Sequence, residues 1–456
     1  MALNRTVVFD IRTTGDDLNG GGFNTASGGT DYSQQDAAQL SLTDCATSGT
    51  GVTTLTSATG GFTAAMVGNV IHLSSGTNLT TGFYEITGFT DTNTVTLDRS
   101  PDDGVGGVSG ATGKVGGSLA TPGVMRDIVF SDGNEVWIKS GTYTLSTGTA
   151  GPGGPVTFLS ANLANILISG YNSTHGDLSG TVGSANRPLL DRGTVTGFSY
   201  IWSGVNSSVN VLTQHICIDC QGYNGGINQS GYSFHDCKVV DFDTNGFNVL
   251  GIVTCCQAEG DFTSSDIGFS RCTHIANCIA FGCSVGIILF SNDSATNCLS
   301  YQNDVGIEIE DGSSFASNCT AYNNDTDGFQ ILHERSVVIN CHSEANGGFA
   351  YFHFEDSGNP SAIINCSDFN NTSGRENFSG NATYLKFETN PVSLTAQGIT
   401  SATDLSPNDT AGGGALLRNA AVDYDSSQST LLDIGGVNAS GSASATAYSL
   451  HPLAYN

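Results

Sequence analysis

Three stretches of the chain, NCIAFGCSVGI at 277–287, NCLSYQNDVGI at 297–307 and NCTAYNNDTDGF at 318–329, open on the same Asn-Cys pair and close on Gly followed by a large apolar residue. Working outward from them, the cysteine recurs at Cys237, Cys256, Cys278, Cys298, Cys319, Cys341 and Cys366, with gaps of 19, 22, 20, 21, 22 and 25 residues. Asn277, Asn297, Asn318, Asn340 and Asn365 precede the last five, while Asp236 and Asp219 precede Cys237 and Cys220. The glycine recurs at Gly226, Gly246, Gly268, Gly286, Gly306, Gly328 and Gly348, followed by Ile227, Phe247, Phe269, Ile287, Ile307, Phe329 and Phe349. A period near 20 residues that holds two or three short β runs, each ended by Gly, Asn or Asp, is one rung of a solenoid.

In such a solenoid like residues stack ~4.8 Å apart along the axis. The Ile/Phe column therefore predicts a continuous interior ladder, and the Cys column a row of small inward hydrophobes. The Asn column suits a turn position with positive φ, where each amide would hydrogen-bond to the equivalent amides above and below. The predicted fold class is all-β, a right-handed parallel β-helix.

Two further stretches extend the pattern towards the N-terminus. Gly133 to Leu145, reading GNEVWIKSGTYTL, looks like a first full rung, and Ile166 to Leu190 like a second. With Leu432-Asp433-Ile434-Gly435-Gly436 as a closing segment, the chain resembles the right-handed parallel β-helix proteins, which include pectate lyases and phage tailspikes, and most of all the virion β-helix proteins of bacteriophages. The resemblance implies the fold; its members range from lyases and hydrolases to adhesins and inert spikes.

The rest of the chain divides by pattern. Residues 1–44 form a Gly- and Asp-rich lead-in apart from the strand-like Thr6 to Ile11. Residues 45–117 alternate short strands, Val52–Leu55, Val70–Leu73, Phe83–Ile86 and Val95–Leu97, with turns, which predicts a small inserted β module. Thr121 to Val129 predicts a short capping helix. The β-helix is placed at 118–400, and 401–456, with Leu416, Leu417, Val422, Leu431, Leu432 and Ile434, is a C-terminal cover or oligomerisation segment.

Of 456 residues, 60 are Gly, 9 are Pro and 12% are charged, a turn-dense β composition that excludes a helical bundle. Lys plus Arg total 14 against 42 Asp plus Glu, or 14 − 42 = −28, a balance that argues against nucleic acid. No apolar run reaches the ~18 residues of a membrane span, so membrane insertion is not expected. The opening residues meet Asp10 before any signal-type stretch, which predicts synthesis in the host cytoplasm. Thirteen Cys is an odd count that points to free thiols rather than a disulfide framework.

Neither Cys217/Cys220 nor Cys255/Cys256 can present two thiolates to one ion from a strand, so neither a metal nor a cofactor is expected. On Gly306 to Asp311, alternation puts Ile307 and Ile309 inside and Glu308 and Glu310 outside, ~7 Å apart on one open, water-screened face. That separation suits the acid and base of inverting glycoside hydrolysis, with Asp304, Asp325, Asp327, His333 and Glu334 near by. In a chain with 42 acids, exposed pairs are also expected from composition alone. A lyase reaction would draw on Arg271 or Arg335, around which no lyase motif lies. The 323–328 stretch has the oxygen density of a calcium loop but lacks its bidentate Glu, and reads as a turn.

The same alternation exposes Ile288, Phe290, Leu332 and Phe352 as an apolar stripe, a subunit contact or a stacking surface for sugar rings. The resemblance to phage β-helix proteins, with cytosolic synthesis, free thiols, acidity and no catalytic motif, implies a non-enzymatic virion protein, a tailspike, fibre or capsid decoration, expected to contact other virion proteins, host surface polysaccharide and itself, most simply as a homotrimer. The alternative is a glycan-cleaving β-helix enzyme, whose candidate catalytic residues are Glu308, Glu310, Asp325, Glu334 and Arg335.

Overall fold

A computed structural model describes residues 3–145, 156–158, 165–178, 186–193, 200–204, 211–222, 225–262, 265–333, 335–354, 361–379 and 383–387. Glu334, the 401–456 segment and its closing motif lie outside the described residues. The chain divides into two compact units, Met1–Ser179 with Asn186–Ile216, and Gly180–Ala185 with Cys217–Asn456. The described structure is nearly all β, and its solenoid is the parallel β-helix that the repeat predicts. No helix among the described residues is long and apolar enough to cross a membrane.

In the first unit, Val7–Ile11 pairs antiparallel with Gly22–Asn24 and parallel with Glu135–Lys139, which pairs in turn with Ile166–Tyr171. The lead-in segment thus supplies a strand to the solenoid sheet. Between these strands lies an antiparallel six-stranded sheet in the order Leu40–Cys45, Ser109–Val115, Val70–Thr77, Gly82–Asp91, Thr94–Leu97 and Thr54–Thr56. Its sheet begins at Leu40, earlier than the expected 45, because Leu40–Cys45 pairs with the last strand. Alternation along Thr94–Leu97 buries Val95 and Leu97 against Leu55, Phe62, Ile71 and Ile86. The capping element is a 3₁₀ turn at Pro122–Asp127, not an α-helix. Pro122 starts it from an extended Thr121, and six residues give room for only two such tight turns.

In the second unit the earlier rungs join two strands into one long one, as in Gly225–His235 and Asn245–Thr254, whereas in the middle a rung has three short strands, for example Ser294–Thr296, Leu299–Tyr301 and Val305–Ile309. They pair parallel and in register with the next rung, Ser294 opposite Phe315, Leu299 opposite Thr320 and Ile307 opposite Phe329. The interior ladder runs Ile227, Phe247, Phe269, Ile287, Ile307 and Phe329, each at most 1% exposed. At ~1.5–3 kcal/mol per fully buried large side chain, this column is a principal source of stability. Its next member is Tyr351, not Phe349: Tyr351 sits opposite Phe329, and Phe349 pairs with Gly374. Tyr351 reaches across the interior to donate to the carbonyls of Ser367 (2.9 Å) and Cys341 (3.1 Å), which satisfies its hydroxyl.

The seven ladder cysteines are at most 2% exposed, and none of the thirteen is in a disulfide. The sulfurs of Cys256, Cys278, Cys341 and Cys366 each accept the backbone N–H of the ladder cysteine one rung before, at 3.4 Å.

Asn277, Asn297, Asn318, Asn340 and Asn365 all adopt φ between 49° and 60°. Their mutual hydrogen bonding is largely missing: Asn365 Nδ2 donates to Asn340 Oδ1 at 2.8 Å, but Oδ1 of Asn277 and of Asn297 meets no donor. The continuous amide ladder sits at the following corner instead, on Asn303, Asn324, Asn346 and Asn371, where Nδ2 donates to the next Oδ1 at 3.2, 2.8 and 2.7 Å. Each Oδ1 also accepts the backbone N–H of the preceding rung, from Cys283, Asn303, Asn324 and Asn346 at 2.9–3.1 Å. Asn303, Asn324 and Asn346 are at most 2% exposed, and the ladder satisfies the polar groups of their corner.

Candidate functional site

The third strand of each rung carries the residues of interest. Ile287 and Leu289, Ile307 and Ile309, Phe329 and Ile331, and Tyr351 and His353 are fully buried. Between them Ile288, Glu308, Gln330 and Phe352 form one outward stack by register. Phe290, Glu310, Leu332 and Phe354 continue as a second, with the N–H of Glu310 on the Leu289 carbonyl (3.0 Å) and that of Leu332 on Ile309 (2.9 Å). Glu308 and Glu310 therefore share a face, two residues and ~7 Å apart.

The expectation of an open, water-screened pair fails for Glu308. Glu310 is exposed, but Glu308 is half-buried, and it accepts no hydrogen bond from the described residues. Burial, followed by repulsion from Glu310, raises its carboxyl to about 6. The cause is the stack, since the Ile288 side of Glu308 is closed enough that Ile288 itself is 5% exposed.

The predicted apolar stripe is also corrected. Its members project outward but alternate with Glu308, Gln330 and Glu310, and Ile288 is buried. Phe290, Leu332 and Phe352 are half-buried, while Phe354, which the sequence reading missed, is 50% exposed. The Arg271 guanidinium lies 5.8 Å from the Phe290 ring centroid. Asp293 accepts the Phe290 N–H at 3.0 Å, and burial raises it to about 6.

The other candidates are dispersed. Asp327 is committed to the fold, accepting from the Phe349 N–H (2.6 Å) and Gln330 Nε2 (2.8 Å). Asp325 lies off the strand face, in a groove of about 230 Å³ lined by Phe262, Cys283, Gln302, Asn303, Asp304 and Asn323 as well. Arg335 is exposed with φ 61°, three residues beyond Leu332. Asp311 is held below the usual carboxylate range by the Ser291 hydroxyl and the Gly312 N–H. Among the described residues no three His, Cys, Asp or Glu are grouped to hold a metal.

Sequence reasoning also missed a buried charge in the first unit. Asp10 is fully buried on Val7–Ile11 and accepts from Arg12 Nε (2.6 Å), His175 Nε2 (2.8 Å) and the Tyr171 hydroxyl (2.9 and 3.0 Å). Trp137 stacks on His175 at 4.7 Å. With its acceptor sites filled, Asp10 ties the lead-in strand to a rung more than 160 residues later.

What the outward face can do follows from its parts. The Glu308 carboxyl, raised by burial, can give a proton while the Glu310 carboxyl two residues on takes one from water, and half-buried rings beside them can hold a sugar's apolar face.

No protein-family profile and no curated protein matches the chain. Among solved structures it is similar to pectate lyase Pel9A, at 17% identity over 65% of this chain and 79% of that one, with a TM-score of 0.42. It is similar also to ORF18 of Geobacillus virus E2, at 14% identity over 55% of this chain and 54% of that one (TM-score 0.36). A third is the A-module of mannuronan C-5 epimerase AlgE4 from Azotobacter vinelandii, at 10% identity over 55% of this chain and 90% of that one (TM-score 0.29). These likenesses are low in identity and in score; the parallel β-helix itself rests on the strand register of this chain.

Proposed function

We propose that the protein is a virion β-helix protein that attaches to a polysaccharide through the outward face carrying Phe290, Glu308, Glu310, Leu332 and Phe352. The observation that carries this reading is the placing of half-buried apolar side chains and two carboxyls on one ladder of strands. Rings and aliphatic stems take the C–H faces of sugars, and carboxyls take their hydroxyls. Thirteen thiols outside any disulfide fit a chain that folds in a reducing compartment, and the charge of −28 fits one that stays soluble until assembly. Leu250 (54% exposed) and Ile252 (47%) support a contact with further copies, for which a homotrimer is the proposed state.

A second reading, hydrolysis of the bound glycan, is favoured by one observation, the raised carboxyl of Glu308 beside Glu310. In that reading Glu308 protonates the glycosidic oxygen and Glu310 activates water. The two separate on incubation with host-type polysaccharides. Attachment predicts retention without new reducing ends. Release of reducing ends that is greatest near pH 6 and abolished by Glu308→Gln would establish the hydrolase.

A further inference from the structure

We propose that the groove at the corner between the second and third strands is a separate saccharide site, which takes an uncharged sugar ring stacked on Phe262. The corner residues are stacked rung on rung by their backbones: the Phe262 N–H donates to the Gly282 carbonyl (2.9 Å), Gly282 to Gln302 (3.1 Å) and Gln302 to Tyr322 (3.3 Å). Gly282, with φ 71°, leaves a gap in that column. A Cβ there would stand 3.1 Å from two Phe262 ring atoms, so the ring lies over the missing side chain. The result is an aromatic ring, 72% exposed, that makes no ring contact among the described residues. The exposed ring belongs to the lining of the groove, where its open face can stack on the C–H face of a sugar.

The rest of the groove supplies the polar half of a sugar site. Gln302 and Asn323 offer exposed amides, and Asp304 and Asp325 offer exposed carboxylates, around about 230 Å³. That volume falls below the ~300–1,000 Å³ of drug-sized pockets and suits one or two rings. The wall is preorganised, because the buried Asn303 belongs to the amide ladder and the N–H groups of Asp304 and Asp325 are fixed on the carbonyls of Cys283 (3.0 Å) and Asn303 (2.7 Å). Binding therefore orders little of the protein. Two carboxylates in a chain of net charge −28 repel uronates and phosphorylated or sulfated sugars, which leaves a neutral ring rich in hydroxyls. Asp304 precedes Glu308 by four residues, ~13 Å of extended chain, so this site stands independently of the strand-face reading.

The test is calorimetric titration of the full chain with neutral hexasaccharides of glucose, galactose and mannose, and with hexagalacturonate as the anionic counterpart. Binding of at least one neutral probe is expected, weakened at least tenfold by Phe262→Ala, restored by Phe262→Trp, and changed less than twofold by Val105→Ala, the same kind of apolar truncation at an 80% exposed residue of the inserted module. Equal binding by Phe262→Ala, preference for hexagalacturonate, or no binding of any probe would each overturn the proposal. Loss with Phe352→Ala alone would overturn it while supporting the strand-face site.

Discussion

Replacing Asn324 by Ala should destabilise the solenoid far more than the same change at Asn318, although both are asparagines in corners of one rung. Asn324 is 2% exposed. Its Oδ1 accepts from the backbone N–H of Asn303 (3.1 Å) and from Asn303 Nδ2 (3.2 Å), and its Nδ2 donates to Asn346 Oδ1 (2.8 Å). Truncation strands the Asn303 N–H without an acceptor, at ~1–3 kcal/mol, and removes one or two further bonds worth ~1 kcal/mol each, for a total of about 2–5 kcal/mol. Asn303 Nδ2 keeps the Ser300 hydroxyl at 2.9 Å, which limits the loss. At Asn318, φ is 52° and the residue is partly exposed, so Ala meets mainly the left-handed penalty of ~1–2 kcal/mol, and Gly is nearly neutral. Solenoids unfold by segments, so the assay is native-state hydrogen exchange at the amides of Cys283, Asn303 and Asn324, supported by urea unfolding. If Asn324→Ala costs no more than Asn318→Ala, the ladder is not the source of stability assigned to it.

Two other outcomes follow from burial. Asp293 (8% exposed) is raised to about 6 by desolvation, so the folded state holds its proton above the pH at which the unfolded chain releases it. Its contribution to stability is therefore full below about pH 4 and lost as pH rises through about 6. Asp293→Asn, which keeps an acceptor for the Phe290 N–H, should gain ~2 kcal/mol at pH 7.5 and nothing at pH 4 by urea unfolding at both pH values; an equal effect at both would contradict the linkage. Thiol titration of the unfolded, unreduced protein should count close to thirteen, and a count below half would contradict the disulfide-free ladder.

The period and the strand alternation were legible because a solenoid repeats one environment per rung, so chemistry that recurs in sequence recurs in space. The repeat departs from that regularity at two places. Gly348-Phe349 matched the repeat by composition, but it lies only seven residues after Cys341, whereas Gly328 lies nine after Cys319; at nine stands Ala350, and Tyr351 takes the ladder position. The amide ladder was present as Asn303, Asn324, Asn346 and Asn371, each five residues after its cysteine. The more regular Asn-Cys pair masks it, because that pair has the positive φ but little of the mutual hydrogen bonding. The raised carboxyl of Glu308 was beyond sequence reasoning, since alternation gives the side a residue faces but not how closely the neighbouring rungs cover it. The Asp10 cluster joins strands far apart in the chain, and no local pattern announces it.

Retention on an immobilised polysaccharide panel, compared between the parent and a Glu308→Gln/Phe352→Ala variant with an unchanged unfolding midpoint, tests the assignment of the outward strand face most directly. The account predicts that the parent is retained by at least one polysaccharide and that the variant binds it at least tenfold more weakly. Equal retention of the two proteins, or retention of neither, would contradict it.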